Sequence, residues 1–239
     1  MKNLSFYLTI LFSLSLASSQ PYLQNSLSGT QEGEDFGYAV SSNGNGQRSI
    51  VGSPDFNVQS FYDDIGEQWF YHDKAGKATI YSSNTPIHTI EGTQFNENVG
   101  KYVAMNKSNS SYAVNIGMNN FRVFNLSNDQ MGNDFSDFSP VGRTPIALAG
   151  DLVAYTTTSG AKVQKFDAQT NTWNQFGDLI NAGNLSISGN ASRIVIGNGG
   201  TARVVEYNES TSTWDLVGSA IDGGTDDSDD SFGGAVSIN

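Results

Sequence analysis

The chain of 239 residues carries 24 acidic against 12 basic side chains, a net charge of −12, and has no cysteine. That balance repels a phosphate backbone, and no basic stripe with interleaved aromatics offsets it, so nucleic acid is excluded as a partner. Without cysteine there are neither disulfides nor thiolate metal sites, and stability has to come from packed apolar side chains.

Residues 1–19 read as a signal peptide. Lys2 supplies the positive start, residues 4–16 form an uncharged apolar run, and Ala17-Ser18-Ser19 places small residues where a signal peptidase cuts. The run is too short to span about 30 Å of hydrocarbon, and no other long apolar segment follows. The expectation is a secreted chain without membrane insertion, with residues 20–239 as one all-β domain.

Phe36-Gly37 opens the first unit, residues 27–90, and leads into a short strand. Asn43-Gly44-Asn45-Gly46 is a tight-turn signal, because Asn and Gly tolerate the positive φ of two-residue hairpins. Strands are expected over 48–52, 77–81 and 88–90. The second unit, 91–142, repeats the entry: Gly92-Thr93-Gln94 matches Gly29-Thr30-Gln31, and Val99-Gly100 matches Phe36-Gly37. Its strands are expected over 112–117 and 121–124, with a fourth near Phe138. The third unit, 143–178, offers apolar runs at 146–149 and 151–155, then 162–166 and the Trp173 strand. The fourth, 179–219, repeats it, since Trp173-Asn-Gln-Phe-Gly177 returns 41 positions on as Trp214-Asp-Leu-Val-Gly218.

Four short strands per roughly 40 residues is the period of a propeller blade. The expected fold is therefore an all-β β-propeller of four-stranded antiparallel blades, about four blades plus the first strand of a fifth in residues 220–239. That last strand reads either as the start of a truncated fifth unit or as the strand that closes a small ring. No unit hides its apolar face alone, so each should pack only against its neighbours. Gly52, Gly117 and Gly197, each after a second strand, are expected at close approaches. Trp173 and Trp214 are expected to wedge between units.

Phe36-Gly37-Tyr-Ala-Val, with Asn-Gly-Asn-Gly and Ser-Ile-Val-Gly-Ser-Pro after it, resembles the FG-GAP repeat of integrin α-chain N-terminal propellers. The order Trp-x-x-x-Gly, Ile-Asp-Gly, Phe-Gly-Gly-Ala-Val-Ser is similar to FG-GAP-like repeats of secreted microbial and algal proteins. The resemblance covers about residues 25–239 and is degenerate in the third and fourth units, which lack Phe-Gly. It implies an extracellular recognition role, with the strand 2–3 loops on the ligand-facing rim. It also implies calcium in the strand 1–2 loops, but residues 42–46, 106–111 and 189–192 contain no carboxylate, so no metal or other cofactor is assigned.

The first unit has surplus length between its second and third strands. Residues 55–76 combine aromatic and acidic side chains, and Tyr62, Asp63, Asp64, Trp69 and Tyr71 are the candidate ligand-binding residues. Rings that stack on sugars or fill a protein hot spot, beside carboxylates that accept from hydroxyls, point to an extracellular protein or glycan as the partner. A self-packed lid over the first unit is the structural alternative. The acidic run 222–230 lacks the spacing of a calcium loop and reads, like residues 32–35, as a solvated connector. Catalysis finds little support: there are two histidines, no cysteine and no Gly-x-Ser-x-Gly elbow. Asp63 and Glu67 keep a polysaccharide hydrolase or lyase as the alternative function, and a purely structural surface component is the third. Asn106, Asn109, Asn125 and Asn208 head the glycosylation sequons, with Asn184 and Asn190 expected to be less accessible.

Overall fold

The computed structural model describes residues 26–108, 110–224 and 232–239. The signal-peptide reading, Asn109 and most of the acidic run at 222–230 lie outside the described residues. Everything regular in the described chain is β-structure, in antiparallel sheets of two to five strands.

The first sheet is an up-and-down meander of β1 (Ala39–Ser42), β2 (Arg48–Ser53), β5 (Lys77–Ser82) and β6 (Thr85–Glu91). Its first turn forms where the Asn-Gly pairs place it, with Gly46 N donating to Asn43 O at 3.1 Å. Between β2 and β5 the chain leaves the sheet and forms a separate hairpin of β3 (Val58–Asp63) and β4 (Gln68–His72). The second sheet holds β7 (Val103–Met105), β8 (Ser111–Asn115) and β9 (Phe121–Asn125). The third runs β10 (Ile146–Ala149), β11 (Leu152–Thr157), β12 (Gly160–Asp167) and β13 (Thr172–Gln175). The fourth runs β14 (Asn184–Ile187), β15 (Arg193–Asn198), β16 (Thr201–Asn208) and β17 (Thr213–Leu216), with β18 (Ile221–Asp222) pairing the start of β16.

The fourth strand expected near Phe138 does not form. Gln130 and Phe135 instead make single bridges to Phe124 and Phe121 of β9. Residues 126–142 have no two-residue alternation, and positive φ at Asn128 and Gly132 breaks an extended run. Phe138 is used as core instead, edge-on to Phe121 with ring centroids 5.2 Å apart.

First strands neighbour one another in chain order, β1 against β7, β7 against β10 and β10 against β14. Three apolar cores fill the gaps, each shared by consecutive sheets. Ile50, Ile80 and Val99 meet Tyr112 and Val114 in the first gap. Phe121, Phe135 and Phe138 meet Leu148, Val153 and Tyr155 in the second, and Ala154 and Val163 meet Leu185, Ile187, Ile194 and Trp214 in the third. A sheet covered on both faces needs continuous apolar runs, not alternation, which is why β8, β10 and β11 are buried along their whole length. Each fully buried Leu, Ile, Val or Phe contributes about 1.5–3 kcal/mol, and the part owed to the facing sheet is lost if that sheet is removed.

The repeated entry motif is a docking device. A side chain on Gly52 would run into the Gly100 carbonyl, and one on Gly197 into the Gly233 carbonyl. At these two places the Gly100 and Gly233 turns thus sit on the bare backbone of the preceding sheet. Gly117 has no such neighbour within 4 Å and does not share this role. The Gly-Thr-Gln preceding the turn is held by a glutamate: Glu34 accepts from the amides of Thr30 and Gln31, and Glu97 from those of Thr93 and Gln94. The connector at 32–35 is therefore not simply solvated. Glu34 is buried, with the Lys77 ammonium at 3.2 Å, and that ammonium lies 3.6 Å from the Phe56 ring centroid.

Candidate functional site

The β3–β4 hairpin occupies the surplus stretch of the first unit, where a loop was expected. Two aromatic runs, Phe61-Tyr62 and Trp69-Phe70-Tyr71, flank a short acidic turn, and extended backbone sends successive rings to opposite faces. Tyr62 pairs with Trp69 across the strands, ring centroids 5.0 Å apart, and Tyr71 lies two residues from Trp69 on the same face. On the other face Phe61 stacks on Phe70 at 4.6 Å and 10°. All five rings are between 39% and 55% exposed, so neither face is covered by the rest of the described residues. Ile65, at the turn, is more exposed still.

The candidate carboxylates do not join these rings. Asp63 bends into its own turn, where Oδ1 accepts from the Ile65 amide at 3.0 Å. Asp64 and Glu67 stay exposed in the turn, Glu67 with φ of +50°. The structure thus brings Tyr62, Trp69 and Tyr71 together and leaves Asp63 and Asp64 at the tip. The stacked pair Phe61 and Phe70 was missed as a site element, although the two aromatic runs either side of Asp-Asp-Ile-Gly are a strand–turn–strand signal.

Its base is firm. Asn57 exchanges hydrogen bonds with the Gln31 side chain (2.8 and 3.4 Å) and accepts from the Lys74 amide at 2.9 Å. Asp55 accepts from Lys74 Nζ at 2.8 Å, and this hydrogen bond holds the lysine above its ordinary pKa. Asn98 donates to Pro54 O at 3.2 Å and the Asn96 amide to Asp73 O at 3.0 Å, tying the base to the entry of the second sheet.

A second concavity, about 580 Å³, lies where the first strands of three sheets begin, between Tyr38 and Val40, Lys101 and Tyr102, and Arg143 and Thr144. Asn184 Oδ1 accepts from the amides of Arg143 (2.6 Å) and Thr144 (3.0 Å), while Asn115 takes up both backbone groups of Tyr102. Burial, with Tyr38 nearby as a lesser cause, pushes the Tyr102 phenol above its ordinary pKa. Among the described residues no cluster of three or more His, Cys, Asp or Glu is arranged to hold a metal.

The sequons fall unevenly. Asn106 is fully buried, with Nδ2 donating to Gly150 O at 2.7 Å and Ser111 Oγ at 3.1 Å and Oδ1 accepting from Gly150 N. A glycan has no room there, a correction to the reading of Asn106 as an acceptor. Asn125 and Asn208 are half-buried, Asn184 is buried, and Asn190, expected to be shielded, is exposed.

No protein family matches the chain, and no curated protein does. Among solved structures, a functionally unknown protein from Desulfotomaculum acetoxidans overlays with a TM-score of 0.48 and 15% identity, over 75% of this chain and 54% of that one. Kluyveromyces lactis Hsv2p gives 0.47 and 13% over 75% and 49%, and a chain of the Mitotic Checkpoint Complex 0.49 and 13% over 77% and 65%. The chain spans about half to two thirds of these proteins.

Proposed function

We propose that this chain is a secreted propeller-type recognition or adhesion module of the FG-GAP-like kind, which binds an extracellular protein or glycan through the β3–β4 hairpin and the neighbouring inter-sheet loops. The observation that carries the reading is the hairpin itself. Five aromatic rings stand on both faces of a two-stranded sheet that nothing in the described chain covers. An isolated hairpin is marginal in water, and rings of this kind supply much of the energy of binding hot spots. The clamped base gives the rings a fixed position, which lowers the ordering cost of association.

The propeller part rests on the chain-order succession of first strands, the cores shared between consecutive sheets, and the Phe-Gly turn seated on the sheet before it. Secretion rests on the basic, apolar and small-residue order of residues 1–19. The test is a glycan array and a panel of immobilised extracellular proteins, run beside a screen for polysaccharide cleavage. Retention without cleavage supports the module. Turnover that disappears with Asp63→Asn or Glu67→Gln overturns it in favour of a polysaccharide hydrolase or lyase.

A further inference from the structure

The concavity at the head of the first three sheets has a lining unlike the rest of the molecule. It faces a chain of net charge −12, yet no acidic residue lines it, and two cations do, Lys101 and Arg143. Neither makes an ion pair among the described residues, as is also true of Arg48, Lys107 and Arg203, whereas Lys74, Lys77, Arg122, Lys162, Lys165 and Arg193 do. A cation held without a carboxylate, in a concave site on an acidic protein, is an electrostatic preference for a bound anion. The walls between the cations are ring-shaped and apolar. Tyr38 and Val40 project from the β1 end largely exposed, and Tyr102 stands on Phe138 at 5.8 Å with Lys101 Nζ near its own ring. Neither the Tyr38 nor the Tyr102 phenol has a hydrogen-bond partner among the described residues. The backbone beneath is already fixed by Asn115 and Asn184, so the site needs little ordering on binding.

We infer that this cavity binds an anionic saccharide unit, its carboxylate or sulfate group held by Lys101 and Arg143 and its ring against Tyr38, Val40 and Tyr102. The volume lies within the range of about 300–1,000 Å³ that small-ligand pockets occupy, and is enough for one or two sugar rings. Two phenols free to donate and accept suit ring hydroxyls, and a guanidinium and an ammonium on one lining suit an oxyanion. The site shares no residue with the hairpin, and the inference does not depend on what the hairpin binds.

The experiment is calorimetric titration of the intact chain with glucuronate, galactose 6-sulfate and glucose, at low and high salt. Binding of at least one charged sugar, weakened by salt, with glucose inert, is the expected result. Which charged sugar binds distinguishes a carboxylate from a sulfate source. Lys101→Gln and Arg143→Gln should each weaken binding about tenfold or more, the loss of one charge-assisted hydrogen bond. Both side chains lie outside the cores, so the cooperative unfolding of the variants should match the parent. The chain lacking residues 57–74 should bind the same sugar unchanged, which separates this site from the hairpin. Equal binding of glucose, no binding of either charged sugar, or affinity indifferent to both substitutions in folded protein overturns the inference.

Discussion

The indole of Trp214 sits on Gly177. Its Nε1 donates to the Phe176 carbonyl at 3.0 Å, and a methyl group on Gly177 would lie 2.6 Å from the indole Cδ1. One sheet earlier Trp173 does the same, donating to the Met131 carbonyl at 2.8 Å with Gly132 beneath it. In each case a tryptophan on the last strand of one sheet locks onto a positive-φ glycine of the sheet before, φ +83° at Gly177 and +69° at Gly132. The expected consequence is that Gly177→Ala destabilises by about 2–3 kcal/mol, from left-handed backbone strain plus displacement of the ring. Trp214→Ala should cost about 3–5 kcal/mol. In urea titrations the double variant should lose less than the sum, since both changes break one contact. Additive losses would mean the two residues are independent.

Alkaline pH probes the cores between sheets. Burial pushes the phenols of Tyr112 and Tyr155 well above their ordinary value of 10, the latter helped by Asp137. Below pH 10 both phenols are protonated whether the chain is folded or not, and their contribution is complete. As pH rises past 10 the unfolded chain releases both protons while the folded chain keeps them. Stability therefore falls by about 1.4 kcal/mol per pH unit for each tyrosine. Denaturant titrations between pH 9 and about 11.5 should show this slope, and Tyr112→Phe with Tyr155→Phe should flatten it.

Asn106 clamps one hairpin to the next by taking both the amide and the carbonyl of Gly150. Asn106→Ala removes both hydrogen bonds to Gly150 and should cost about 1–3 kcal/mol, at roughly 0.5–1.5 kcal/mol for each bond. Peptide mapping of the chain secreted from a glycosylating host should find Asn106 unmodified in all folded protein. Modified Asn106 in protein that unfolds cooperatively would refute the clamp.

The two faces of the β3–β4 hairpin are separable. Tyr62→Ala and Trp69→Ala remove the pair on one face, Phe61→Ala and Phe70→Ala the pair on the other. If the Tyr62–Trp69–Tyr71 face carries recognition, the first two variants should weaken retention of any ligand found on the arrays about thirtyfold or more, a hot-spot loss. The second two should weaken it far less. Because the rings are exposed, thermal unfolding should shift by little in all four, and a large shift would place the hairpin in the fold instead.

Much of the scaffold was legible in the residues. Short β-rich runs closed by Gly, Asn or Ser gave the strands of the third and fourth sheets, and the Trp173 and Trp214 repeat foretold the wedge between sheets. Where reading failed, the cause was a side chain whose partner is distant in sequence. Phe138 serves the core without any strand period to announce it. Asn106 carries a sequon, but nothing local reveals that Gly150 occupies its amide. Residues 61–62 and 69–71 are unbroken aromatic runs whose rings are exposed on both faces, so no alternation or buried stripe separated a hairpin from a loop. The Lys101–Arg143 cavity draws on three separate units and has no motif at all. It exists because the entry turns of consecutive sheets converge.

The most direct test of the account removes the hairpin. A chain in which residues 57–74 are replaced by a short Gly-Ser link should be compared with the parent on the same glycan and protein arrays, with thermal unfolding followed in parallel. Cooperative unfolding close to that of the parent, with loss of array binding, is the expected result. Undiminished binding by the shortened, folded chain would contradict it.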